Sequence, residues 1–148
     1  MSRAGRSVAE ILARMEAIRD RACLVLTLKD LRYAQMSGRT GRLQSSLASL
    51  LSIKPIVLLE SGLLDVVEQV RTQGRAIDRL LDILAEKVGR SDPVNLAVVH
   101  ALAPEAGQEL LERAKSLFNC QETFLADLTS SLIVHFGPGT LGLSAYRV

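Results

Sequence analysis

Val8, Ile11, Leu12, Met15 and Ile18 recur at helical spacing, and Ser7 stands three residues before Glu10. That pattern predicts a capped amphipathic helix over residues 8–20. The run ACLVLTL, residues 22–28, has the length and composition of a strand. Asp30 can cap a short helix reaching Met36. SGRTGR, residues 37–42, reads as a loop, and Leu43, Leu47, Leu50 and Leu51 predict a further short helix over 43–51. Two apolar runs in KPIVLLESGLLDVVEQV, residues 54–70, joined by Ser61-Gly62, carry a hairpin signal. Ile77, Leu80, Leu81, Leu84 and Val88 line one side of a helix over 74–88, stopped by Gly89 with Pro93 beyond.

The second half alternates in type. VNLAVVHA, residues 94–101, reads as a buried strand, Pro104 opens a helix through 118, and ETFLADL, residues 122–128, reads as a strand. A strand–helix–strand unit predicts a parallel pair with a right-handed crossover. LIVHF, residues 132–136, and LGLSAY, residues 141–146, read as strands on either side of a Gly-Pro-Gly turn. The expectation is one α/β domain of mixed α+β character. It has two layers, a mixed sheet of about six strands and helices mainly on one face.

Composition narrows the function. A chain of 148 residues with 48% hydrophobic and 23% charged residues fits one ordinary globular domain. A net charge of +2 argues for neither nucleic acid nor membrane as partner. Aromatic residues make up 3% and tryptophan is absent, so stacking platforms for single-stranded nucleic acid are missing. Cys23 and Cys120 form no C-x-x-C and read as reduced core thiols. With only two histidines and two cysteines, a four-ligand zinc site would need all four to converge, and no metal is expected. The basic N-terminus lacks the apolar core of a signal peptide and no apolar stretch is long enough to span a bilayer, so a cytoplasmic protein is expected.

GPGTLG, residues 137–142, matches the letters of a dinucleotide fingerprint without the helix and acidic residue that the motif needs. Its glycines can bring backbone amides close to an anion, and His135 precedes them, so an imidazole beside exposed amides is a candidate carboxylate or phosphate contact. SGRTGR is not a P-loop, yet Arg39 and Arg42 lie between glycine hinges and could fix an anion. There is no nucleophile elbow and no catalytic residue is assigned. His100, at the end of its strand, reads as structural.

Three separated stretches resemble one family. LKDLRYAQMSGRTGRLQSSLASLLSIKPIVLLESG at 28–62, VRTQGRAIDRL at 70–80, and AVVHALAPEAGQEL at 97–110 followed by VHFGPGTLGLSAY at 134–146 are similar, in order and spacing, to the C-terminal half of the DegV family of bacterial fatty-acid-binding proteins. The resemblance implies that residues 1–148 form the family's second domain, without its N-terminal domain. It implies a lipid-binding module with no cofactor, whose ligand is a long-chain fatty acid. The carboxylate of that ligand is presented to a separate fatty acid kinase. Carried over by motif, His135, Gly137 and Gly139 belong to the carboxylate site with Arg39, and Arg71 suits docking of the kinase. Phe136 stands where the family pattern has threonine, which removes a hydroxyl from the lipid-binding turn. Two other readings stay open: a structural or dimerising domain pairing through an exposed interdomain face, and a phosphotransfer-related enzyme using His135.

Overall fold

The computed structural model describes residues 4–29, 31–36, 53–60 and 62–148. Eleven elements follow one another: α1 (Val8–Arg19), β1 (Cys23–Thr27), α2 (Arg32–Met36), β2 (Lys54–Glu60), β3 (Leu63–Val70), α3 (Gln73–Val88), β4 (Pro93–His100), α4 (Pro104–Leu117), β5 (Asn119–Asp127), α5 (Ser130–Phe136) and β6 (Leu141–Arg147). The six strands form one sheet in the order β3-β2-β1-β6-β4-β5. Only β4 and β5 run parallel, joined through α4; every other neighbour is antiparallel. The mixed six-stranded sheet is therefore as expected.

Alternation along the strands divides the sheet into two faces. Val25, Ile56, Val94, Leu96, Val98, Leu141, Leu143 and Ala145 point to one side and pack under Leu80, Leu84 and Val88 of α3 and Leu110 and Ala114 of α4. This is the main core. On the other side Leu26 and Val57 meet Ala34 of α2, with Val66 and Phe136 packed against them. Among the described residues no helix covers the rest of that second face, and there Leu24, Leu59, Ala97 and Val99 are half-buried and Leu64 and Phe124 exposed.

One strand expectation is overturned. LIVHF lies in helix α5, closed by Gly137, whose N–H donates to the Ile133 carbonyl. Five residues, four of them apolar, fit a strand or one turn and a half of helix equally well, and periodicity cannot separate them. What decides is tertiary: in a helix Phe136 reaches the small second core while His135 stays beside the turn. The predicted helix over 43–51 and the SGRTGR loop lie outside the described residues. α1 forms with the expected capping box between Ser7 and Glu10, yet it buries no residue; Val8, Leu12 and Met15 are more than half exposed.

One ion pair ties the hairpin to α3. Arg79 donates through Nε to Glu68 Oε2 at 2.8 Å and through a second nitrogen to Glu68 Oε1. The hydrogen bonds from Arg79 hold the Glu68 carboxyl below the usual range, against desolvation. A depressed carboxyl favours the folded state above its unfolded pKa, and that stability is lost as pH falls through the folded value. The pair is about one-third exposed, so its worth is roughly 1 kcal/mol or less. Glu68→Gln is expected to flatten the acid limb of stability below about pH 4.5, leaving the neutral-to-alkaline limb parallel to the parent, as urea midpoints across pH would show.

Candidate functional site

The carboxyl ends of β1, β4 and β5 lie together with the amino end of β6, because Thr27 and His100 both pair with Leu141 and His100 pairs with Asp127. The segment after β5 folds over this end. The Leu128 N–H donates to the His100 carbonyl at 2.7 Å, Gly139 N–H to the Ala101 carbonyl at 2.7 Å, and Ala101 N–H to the Thr140 carbonyl at 3.0 Å. The fully buried Thr140 hydroxyl lies 3.0 Å from the Phe136 carbonyl and 2.9 Å from that of Gly137. These bonds fix the turn that follows α5.

His135 sits in the last turn of α5, and its Nδ1 is buried without a hydrogen-bond partner among the described residues. An unmet buried polar atom costs about 1–3 kcal/mol, which an incoming hydrogen-bonding group would recover. The glycines act differently from the expectation. Their amides do not face an anion: Gly137 N–H is used by Ile133 and Gly139 N–H by Ala101. What the glycines provide is close approach. Gly137 has φ of 80°, and a Cβ on it would lie 2.4 Å from Cδ2 of Tyr33. A Cβ on Gly139 would lie 2.6 Å from Cδ of Lys29. Phe136, in place of a hydroxyl residue, anchors α5 on Leu26 and Val57.

Cations gather at this same end. The Lys54 ammonium donates to the Lys29 carbonyl, and Lys54 pairs with Val70, so Arg71 follows directly at that level and is exposed. Arg39 and Arg42 lie outside the described residues, so the structure joins His135, Gly137 and Gly139 but says nothing of those arginines. Lys29 and Tyr33 were missed by the sequence reading; their contacts bridge more than a hundred residues and no local pattern marks them. The second histidine, His100, is buried with Nδ1 3.3 Å from Asp127 Oδ1, in a geometry too poorly aligned for a hydrogen bond. Its ring abuts Gly107 of α4, where a Cβ would come within 2.7 Å.

A cavity of about 1240 Å³ opens at the opposite end of β1, lined among others by Cys23, Leu24, Leu59, Ser144 and Arg147. It does not reach His135, and its size alone gives it no chemistry. Among the described residues no group of three or more His, Cys, Asp or Glu side chains is placed to hold a metal ion. Neither cysteine is in a disulfide, and no helix among the described residues is long and apolar enough to cross a membrane.

The fold has counterparts among known proteins. A DegV domain-containing protein of Streptomyces coelicolor, SCO2569, is 34% identical over 112 residues, spanning 75% of this chain and 40% of that protein. The crystal structure of DegV from Bacillus subtilis, described as a fatty acid binding protein, superposes with a TM-score of 0.80 at 24% identity, over 99% of this chain and 52% of that one. A stearic acid-binding protein from Eubacterium ventriosum superposes with a TM-score of 0.85 at 19% identity, over 99% of this chain and 52% of its own. The chain thus spans about half the length of the relatives it matches. The family model described as "Uncharacterised protein, DegV family" matches residues 1–148 from end to end, and the chain belongs to the DegV family.

Proposed function

We propose that this chain is a fatty-acid-binding module, without turnover of its own, that holds the carboxylate of a long-chain fatty acid beside His135. The buried, unmet Nδ1 of His135 at a cation-rich end of the sheet is the observation that carries the reading. The apolar face around Leu24, Leu59 and Leu64, partly uncovered among the described residues, offers surface for an acyl chain. The relatives described as binding fatty acids support the same ligand class. With its amides already engaged, the Gly137–Gly139 turn shapes the site, and Arg39 is the guanidinium that joins His135 at the carboxylate. Exposed Arg71 at the same end suits docking of a cytoplasmic fatty acid kinase that receives the presented carboxylate.

Titration of the purified chain with hexadecanoate tests this. A charge-assisted hydrogen bond contributes about 1.5–3 kcal/mol, so His135→Ala and Arg39→Ala should each weaken binding by roughly 10- to 100-fold. Burial of the tail contributes about 0.8 kcal/mol per methylene, so both variants should retain measurable affinity. Two variants that bind as tightly as the parent would place the headgroup elsewhere. The exposed stripe of α1 favours one other reading, a domain that pairs with a second copy; a monomer by light scattering would remove it.

A further inference from the structure

We propose that Tyr33 is a positioning residue for the carboxylate site: its ring, seated on Gly137, holds the turn that orients the His135 imidazole. This rests on the fatty acid reading above and adds to it a residue from a different part of the chain.

Three observations converge. First, the Tyr33 ring covers Gly137 so closely that a Cβ there would lie within 2.4, 2.8 and 3.0 Å of three ring carbons. Second, Gly137 is the C-cap of α5, two residues after His135, and its N–H closes the last turn on Ile133. The ring therefore bears on the backbone unit that terminates the histidine's own helix turn. Third, Tyr33 is 36% exposed and its hydroxyl has no hydrogen-bond partner among the described residues. A ring exposed to that degree adds less to the core than a buried one, and the close contact with Gly137 is made by its carbons and not by its hydroxyl.

A seven-residue helix is too short to hold its shape by its own hydrogen bonds. α5 is instead held from outside: by Phe136 on the second core, by the Thr140 hydroxyl at the two carbonyls, and by Tyr33 on the glycine. The first two grip the residues after His135 from inside the sheet. Tyr33 is the contact from the other helix, α2. One ring thus ties the end of the histidine's helix to α2.

The chain has two histidines, so nuclear magnetic resonance of the imidazole Cε1–H groups reads the effect in ligand-free protein, with His135→Gln assigning the signals. In Tyr33→Ala the His135 resonance is expected to move while that of His100, at the far side of the core sheet, stays. Tyr33→Phe should restore it, since the ring and not the hydroxyl makes the contact. Calorimetric titration then compares hexadecanoate with hexadecan-1-ol. Tyr33→Ala should weaken the acid roughly tenfold, about one charge-assisted hydrogen bond, and leave the alcohol unchanged. A general loss of structure would move both histidines and both ligands together. An unmoved His135 resonance in Tyr33→Ala, or equal weakening of acid and alcohol, overturns the positioning role. If the resonance moves as expected but the parent shows no preference for acid over alcohol, the positioning role stands and the fatty acid reading falls.

Discussion

Leu143→Ala is expected to destabilise the protein by about 2–5 kcal/mol, the range for removing a fully buried leucine. Leu143 is 0% exposed and lies in β6, between β1 and β4, where it pairs with Val25 on one side and Val98 on the other. Its side chain is in the core that Leu80 and Leu84 of α3 close from above. Both lateral neighbours are held by their own sheet partners and α3 spans several strands, so the site cannot collapse onto the missing methyls. The cost then combines the lost transfer energy with a cavity term. Against a total stability of roughly 5–15 kcal/mol, a loss of this size is a large fraction, and at about 2–4 °C per kcal/mol it should lower Tm by roughly 5–15 °C. The control is Leu102→Ala, at a residue 72% exposed, expected to stay within about 0.5 kcal/mol. Urea unfolding measures both, and the slope with urea should be unchanged if only the folded state is affected. A loss below about 1 kcal/mol for Leu143→Ala would contradict the central place of β6.

That central place was legible only in part. LGLSAY reads as a strand from its composition, but nothing local says that the last strand inserts between the first and the fourth. The insertion follows from which strands have two faces to bury: β6 is buried at Leu141, Gly142, Leu143 and Ala145, whereas β5 is exposed along most of its length. An edge strand need not alternate, which is why Asn119 and Cys120 escaped the strand reading while still pairing with Pro93 and Val94; Gln121 falls in the register shift that follows. α3 was legible almost to the residue because its apolar stripe and its Gly89 stop agree with each other, while the cap that Thr72 gives to the Arg75 N–H was not read from the sequence. α1 was legible as a helix, but its stripe gave no sign that it would remain uncovered.

The site divides in the same way. His135 drew notice because a polar side chain stands between an apolar run and a glycine turn. The role of the glycines did not follow from the letters, since Gly-Pro-Gly is compatible with amides facing a ligand and with a backbone pressed under a ring. Only the packing of α2 on α5 distinguishes the two, and that packing depends on residues far apart in the chain.

Gly137→Ala should therefore cost more than the backbone alone requires, and a matched glycine within the same molecule shows by how much. Gly89 and Gly137 each close a helix, with φ and ψ of 75° and 170° at Gly89 and 80° and 165° at Gly137. Alanine at either position must adopt an extended positive-φ conformation that is essentially glycine's own, which costs roughly 1–3 kcal/mol. At Gly89 the nearest atoms to a new Cβ are Asp92 Oδ2 at 3.6 Å and the Arg147 guanidinium at 3.9 Å, so the backbone term is all that applies. At Gly137 the same Cβ overlaps the Tyr33 ring, which must leave the turn or push α5 aside. The excess over Gly89→Ala is expected to be about 1–3 kcal/mol, the usual range for overpacking. In a Tyr33→Ala background the overlap is gone, and Gly137→Ala should cost no more than Gly89→Ala does. The four proteins of that double-mutant cycle then show non-additivity of the same size as the excess, measured by chemical unfolding. Additive costs, or equal costs for the two glycines in the parent, would mean that the ring yields freely and exerts no hold on the turn after His135. A clear coupling would instead show that α2 and α5 are joined at this point, so that the Tyr33 ring and the turn after His135 act as one unit.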